Sequence, residues 1–163
     1  MKRIILVAAS LAAGQALAAT ELKDCVIQEV LPGKNMTGAF LTIVHEGGVL
    51  DIASGEIPSV TEHVEFHQMV MKDNIMEMSP LENRKVEAGE RQFKKGGDHL
   101  MLMQIPEDKQ PKKGDSHTIT LRFSDGSAAS CAAEVKTVEE LIEAAQMAGD
   151  HGHDHGHGSS HKH

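Results

Sequence analysis

The chain reads as an all-β domain, an antiparallel sandwich closed by one short C-terminal helix and followed by a histidine-rich tail. Three observations carry this reading. Apolar and β-branched runs of strand length recur between residues 25 and 136, parted by Gly, Pro, Asn and Asp, the pattern of sandwiches and barrels. A capping box, Thr137-Val-Glu-Glu140, opens the one later stretch with helical spacing,. From Asp150 onward only Gly, Ser, His, Asp and Lys remain; such a segment cannot pack a core and should stay unstructured without metal.

Residues 1–18 come first. Lys2 and Arg3 precede an apolar run over 4–13, and Ala16-Leu17-Ala18 is a small-x-small site. A secretory leader cleaved after Ala18 is expected, and with it export to a bacterial periplasm. The run is too short to span a bilayer, and no other candidate span follows. Cys25 lies too far beyond it to be a lipoprotein cysteine.

Residues 19–136 should form the sandwich, with strands expected at 39–44, 49–53, 62–71, 75–78, 99–105, 116–123 and 129–135. Gly47-Gly48, Asp73-Asn74 and Asp125-Gly126 are the turn signals between them,. Ala88-Gly89 and Lys95-Gly96-Gly97 mark a loop. His45, beside Glu46-Gly47-Gly48, reads as a loop residue, His117 as a strand residue, and His63 as a solvated histidine near His67. Residues 137–149 form the helix, with Val138, Leu141, Ile142 and Ala145 on one face. Residues 150–163 are the tail.

Charge and composition narrow the function. Loss of Lys2 and Arg3 with the leader takes the formal charge from −8 to −10, which disfavours nucleic acid and anionic lipid as partners. Four phenylalanines are the only Phe, Tyr or Trp residues, too few to build a stacking surface for bases. No serine–histidine–acid pattern, phosphate-binding glycine loop or supported pair of carboxylates occurs, so an enzyme is not expected. Cys25 and Cys131 are the two cysteines. In an oxidising compartment a disulfide is the default. It would close a loop of 107 residues, counting both ends, for which the chain-entropy model gives about 4–5 kcal/mol. The alternative is a dithiol that reduces Cu(II) or binds Cu(I).

The chemistry is concentrated between residues 67 and 103, which hold six of the nine methionines together with His67 and His99. Thioether sulfur is a soft, uncharged donor that selects Cu(I), and imidazole binds copper in either charge state. If Asp73-Asn74 make a two-residue turn, His67 pairs with Pro80, Met69 with Met78 and Met71 with Met76. All then project from one side of the sheet. His99, Met101 and Met103 share a face by alternation. Facing one another, the two groups could surround one metal with two nitrogens and two sulfurs.

The order His67, ten residues, Met78, twenty residues, His99-x-Met101 resembles the signature of the PCu(A)C family of copper chaperones, with the second spacer one residue short. Gly38-Ala-Phe-Leu-Thr-Ile43, Val64-Glu-Phe-His-Gln-Met69, Val86-Glu-Ala-Gly89 and Gly96-Gly-Asp-His-Leu-Met-Leu-Met103 also agree. The resemblance covers about residues 25–136. It implies a cupredoxin-like sandwich with an exposed Cu(I) site of His67, Met78, His99 and Met101. It also implies delivery to cuproenzymes such as the Cu(A) centre of cytochrome oxidase, a copper nitrite reductase being another exported client. Met69 would be a reserve ligand, and Met71, Met76 and Met103 packing around the site. Cys25 and Val26 stand where that family carries first-strand aromatics.

The tail adds a second donor set: His151, His153, His155, His157, His161 and His163. Nitrogen donors on a flexible, Asp-containing backbone suit Cu(II) rather than discriminating for Cu(I). Copper in two oxidation states, a cuproenzyme or second copper chaperone as partner, and a monomeric protein are therefore expected. The rival expectation is a periplasmic copper or zinc buffer with no client.

Overall fold

The computed structural model describes residues 19–149; the leader expected over 1–18 and the tail expected over 150–163 lie outside them. Ten strands follow in chain order: β1 (Ala19–Gln28), β2 (Thr37–Glu46), β3 (Leu50–Glu56), β4 (His63–Lys72), β5 (Ile75–Pro80), β6 (Lys85–Val86), β7 (Gly89–Phe93), β8 (His99–Met103), β9 (Ser116–Phe123) and β10 (Ala128–Lys136). One helix, α1 (Val138–Gly149), closes the described chain. The sheet runs β5-β4-β8-β2-β1-β10-β9-β3-β6, with β7 also paired to β2. It curls on itself into two layers. A methyl added at Gly55 of β3 would lie 3.1 Å from Val64 and 3.2 Å from Phe66 of β4, so the two layers touch there. Ile27, Ile43, Ile52, Phe66, Phe93, Leu100, Leu102, Ile119 and Leu121 fill the space between.

The all-β class with a C-terminal helix is thus borne out. All pairings are antiparallel except one, β1 with β10. β1 manages two partners through a bulge between Lys23 and Val26, where Asp24 takes a left-handed φ of 52°,. Its last residues, Val26 to Gln28, pair with Glu134 to Lys136. Cys25 and Cys131 are disulfide-bonded beside this contact, their Cα atoms 6.3 Å apart.

Three local expectations are corrected. His45 lies inside β2, not in a loop, and is fully buried. It tolerates burial because Thr20 Oγ1 and the Gly48 carbonyl take its two ring nitrogens, at 2.9 and 2.7 Å,. The expected loop over 88–97 contains β7, which pairs Gly89 to Phe93 with His45 to Leu41; its polar alternation hid it. In α1 Leu141 is buried, but Ile142 and Ala145 are exposed, so the helix docks on one side chain with Val138 half-covered.

The helix start compensates. The Thr137 N–H donates to Glu140 Oε2 at 2.9 Å, and the Glu140 N–H donates to Thr137 Oγ1 at 3.2 Å. Lys113, bonded to Glu140, holds that carboxyl below the usual carboxylate range, with the Thr137 N–H adding to the effect. A depressed carboxylate stabilises the fold above its unfolded value, so this cap weakens as pH falls through the folded one.

Candidate metal centre

β4, β5 and β8 form one end of the sheet and carry the donors. Asp73 and Asn74 have φ of 50° and 62°, the left-handed pair of a two-residue hairpin turn. The hairpin register follows: His67 opposite Pro80, Met69 opposite Met78, Met71 opposite Met76. On its other side β4 pairs His67 with His99 and Glu65 with Met101. Because side chains alternate across a strand, Glu65, His67, Met69, Met78, His99 and Met101 share one face. Phe66, Leu100 and Leu102 point the other way, into the core. The two donor groups therefore do not face one another across a gap. They stand side by side on neighbouring strands, on the outer face of the sheet.

β2 walls this face. Gly38 pairs with Met101, and the Phe40 ring folds back over Gly38, where an added methyl would meet its Cζ at 3.1 Å. That ring lies 6.4 Å from His99. Met36, Leu31, Lys34 and Lys95 complete a cavity of about 520 Å³, lined also by Met69, Met78, His99 and Met101. Lys95 Nζ donates to Gln28 Oε1 at 3.0 Å, tying the segment before β8 to the end of β1. Arg91 of β7 donates to Asp98 and to the Asn83 and Lys85 carbonyls, which fixes the backbone entering His99. His99 and Met101 are buried, 5% and 8% exposed, whereas Met78 is 49% exposed. His67 lies outside the cavity lining, in a neighbouring cleft with Pro80 and Arg84.

The histidine chemistry is specific. His67 Nε2 lies 2.8 Å from Glu65 Oε2. An ionised carboxylate can only accept, so Nε2 carries a hydrogen, and in the neutral imidazole Nδ1 then carries the lone pair. That Nδ1 is buried and without a hydrogen-bond partner. His99 Nδ1 lies 2.9 Å from the Gly97 carbonyl, so it donates and its Nε2 keeps the lone pair. The two rings are 6.1 Å apart, centroid to centroid. With metal–nitrogen bonds of about 2 Å, two imidazoles on one ion have centroids up to roughly 6 Å apart. Each ring thus has one nitrogen anchored by protein oxygen and the other available, the usual outer-shell arrangement of metal-bound histidines.

Among the described residues no group of three or more His, Cys, Asp or Glu is placed to hold an ion. What the fold gathers instead is two imidazoles and several thioethers, a soft donor set. Motif reading missed Glu65, Gly97 and the β2 wall. Glu65 was reachable, since alternation puts the residue two before His67 on the same face. Met71 and Met76 do not pack around the site as expected from the sequence; they are 65% and 45% exposed. His63 shares the face, opposite Met103, and is exposed. The six tail histidines lie outside the described residues.

Comparison with known proteins agrees. The fold matches the "Copper-bound PCuAC domain from PmoF2" with a TM-score of 0.54 at 16% identity, covering 71% of this chain and 91% of that one. It matches the "Apo PCuAC domain from PmoF1" with a TM-score of 0.56 at 11% identity, over 71% and 92%. For the "Solution structure of CuI-DR1885 from Deinococcus Radiodurans" the TM-score is 0.52 at 22% identity, over 77% and 81%. In sequence the chain is 33% identical over 107 residues to "Putative lipoprotein Lxx21020" of Leifsonia xyli subsp. xyli, 64% of this chain. It spans 63% of that relative's length. The family described as "LpqE-like: Putative lipoprotein LpqE-like" matches residues 20–135. The sandwich and the family match together bear out the resemblance read from the motif: the chain belongs to the LpqE-like family, with the fold of the PCuAC domains.

Proposed function

We propose that this chain is an exported copper carrier that holds Cu(I) on the outer face of β4, β5 and β8. His67 through Nδ1, His99 through Nε2, and the sulfurs of Met78 and Met101 are the ligands. The observation that carries this is the buried, unpartnered Nδ1 of His67 beside His99. An orphaned buried acceptor costs about 1–3 kcal/mol, a cost that a bound ion relieves. The copper-bound state of a fold neighbour supports the same reading. The disulfide fits an oxidising compartment,, in line with a leader ending at Ala18.

Release is ligand exchange. Met78, half exposed at the cavity mouth, leaves first and admits a donor from the acceptor. The buried His99 and Met101 hold the ion until the exchange completes. No proton transfer or bond cleavage is required, so the chain acts as a binding protein and not an enzyme. The acceptor is an exported cuproenzyme, such as the Cu(A) centre of cytochrome oxidase or a copper nitrite reductase. His151, His153, His155, His157, His161 and His163 take up Cu(II) separately. The deciding experiment compares metallation of an apo-cuproenzyme by the loaded protein and by free copper at equal metal activity. Faster transfer from the protein is expected; equal or slower transfer would leave a copper buffer.

Two further outcomes are expected. Truncation after Gly149 removes the additional Cu(II) equivalents and retains the tightly bound first equivalent of Cu(I), read by anaerobic titration. Loss of Cu(I) binding as well would refute the two-site division. Glu65→Gln removes the fixed acceptor for His67 Nε2–H. Cu(I) affinity should fall about 10–100-fold, as for outer-shell partners elsewhere, and ¹⁵N NMR of the apo protein should show His67 losing its single tautomer. An unmoved tautomer would mean that Glu65 does not orient the ring.

A further inference from the structure

The β4–β5 hairpin carries more sulfur than one ion uses. Met71 and Met76 sit directly opposite each other, on the same face as Met69 and Met78 and one pair nearer the turn. They are 65% and 45% exposed. The hairpin here runs past the part of β4 that β8 pairs with, so these side chains fill no core. Exposed apolar residues on an edge strand are ordinarily a liability, and this pair needs a reason to be there.

We propose that Met71 and Met76 form an outer, all-thioether Cu(I) site through which the ion enters and leaves the inner one. The inference rests on the inner site proposed above. Opposed side chains on paired strands have Cβ atoms about 4.5–5.5 Å apart. Methionine has three rotatable bonds and a polarisable sulfur, so the two thioethers can close on one ion. Thioether donors without nitrogen or carboxylate favour Cu(I) and reject harder divalent ions. Successive same-face residues on a strand lie about 7 Å apart. The pairs Met71/Met76 and Met69/Met78, then the His67–His99 pair, form a line of steps of that length from the hairpin tip to the buried donors. Two weak sulfur ligands in the open are suited to exchange with an incoming donor. The imidazoles further in hold the ion.

The test uses the full chain with ¹³C-methyl methionine and Cu(I) added anaerobically. Site-resolved methyl signals are read because the tail histidines also take up ions. The first equivalent should move Met78 and Met101, and further Cu(I) should move Met71 and Met76. Met71→Ile with Met76→Ile, both at exposed strand positions where isoleucine is favoured, should slow Cu(I) transfer to a soluble chelator about tenfold. First-equivalent affinity should stay within twofold. Met71 and Met76 signals that never move, or transfer at the unaltered rate, would overturn the outer site and leave the patch a protein-docking surface. Silence at Met78 and Met101 with movement at Met71 and Met76 would instead overturn the inner site.

Discussion

Replacing Met78 and Met101 together by isoleucine should lower Cu(I) affinity by at least about 100-fold while the fold survives. Disturbing outer-shell partners alone costs roughly 10–100-fold, and this change removes two direct donors. The stability cost is small for different reasons at the two positions. Met78 is half exposed, where substitutions stay within about 0.5 kcal/mol. Met101 is 8% exposed, against Gly38 and beside Glu65; a volume-conserving apolar swap there costs under about 1.5 kcal/mol. Competition with a colorimetric Cu(I) chelator, alongside thermal unfolding, separates the two effects. Unchanged affinity in a folded variant would make both sulfurs packing and remove the basis of the carrier reading.

Opening the Cys25–Cys131 bridge should have the largest effect on stability. The bridged residues are 106 apart in sequence, a loop for which cross-linking is worth about 4–5 kcal/mol. For a domain of this size that is a Tm lower by on the order of 15 °C, read by calorimetry on Cys25→Ala with Cys131→Ala. The bridge joins β1 to β10, whereas the donor face is built on β4, β5 and β8. Cu(I) affinity below the new Tm should therefore be unchanged. A large loss of Cu(I) affinity would favour the dithiol reading, in which the cysteines handle copper.

Much of the donor face was legible because it depends on local rules. The Asp73-Asn74 turn sets the hairpin register by geometry alone, and with it the placement of Met69, Met71, Met76 and Met78. Alternation then places His99 with Met101. What stayed hidden depends on contacts distant in sequence. The facing arrangement expected for the two groups failed because nothing in the sequence says that β8 pairs with β4 in the same sheet. His45 looked like a loop residue because its burial depends on Thr20, 25 positions away. β7 escaped because Gly-Glu-Arg-Gln-Phe93 has the polarity of a loop and becomes a strand only against β2. The exposure of Met71 and Met76 follows from the β4–β5 hairpin running past its pairing with β8, which composition does not announce.

The parallel contact between Val26–Gln28 and Glu134–Lys136 bears on the order of events during biosynthesis. A chain emerging from its N-terminus presents β1 long before β10 exists to receive it, and contacts so remote in sequence form slowly. The β4–β5 hairpin, by contrast, can zip within microseconds of its own appearance. The nascent protein thus has its metal-facing corner in outline while one flank of β1 is still bare. In the folded chain the Cys25–Cys131 bond lies beside that flank and ties β1 to β10 there.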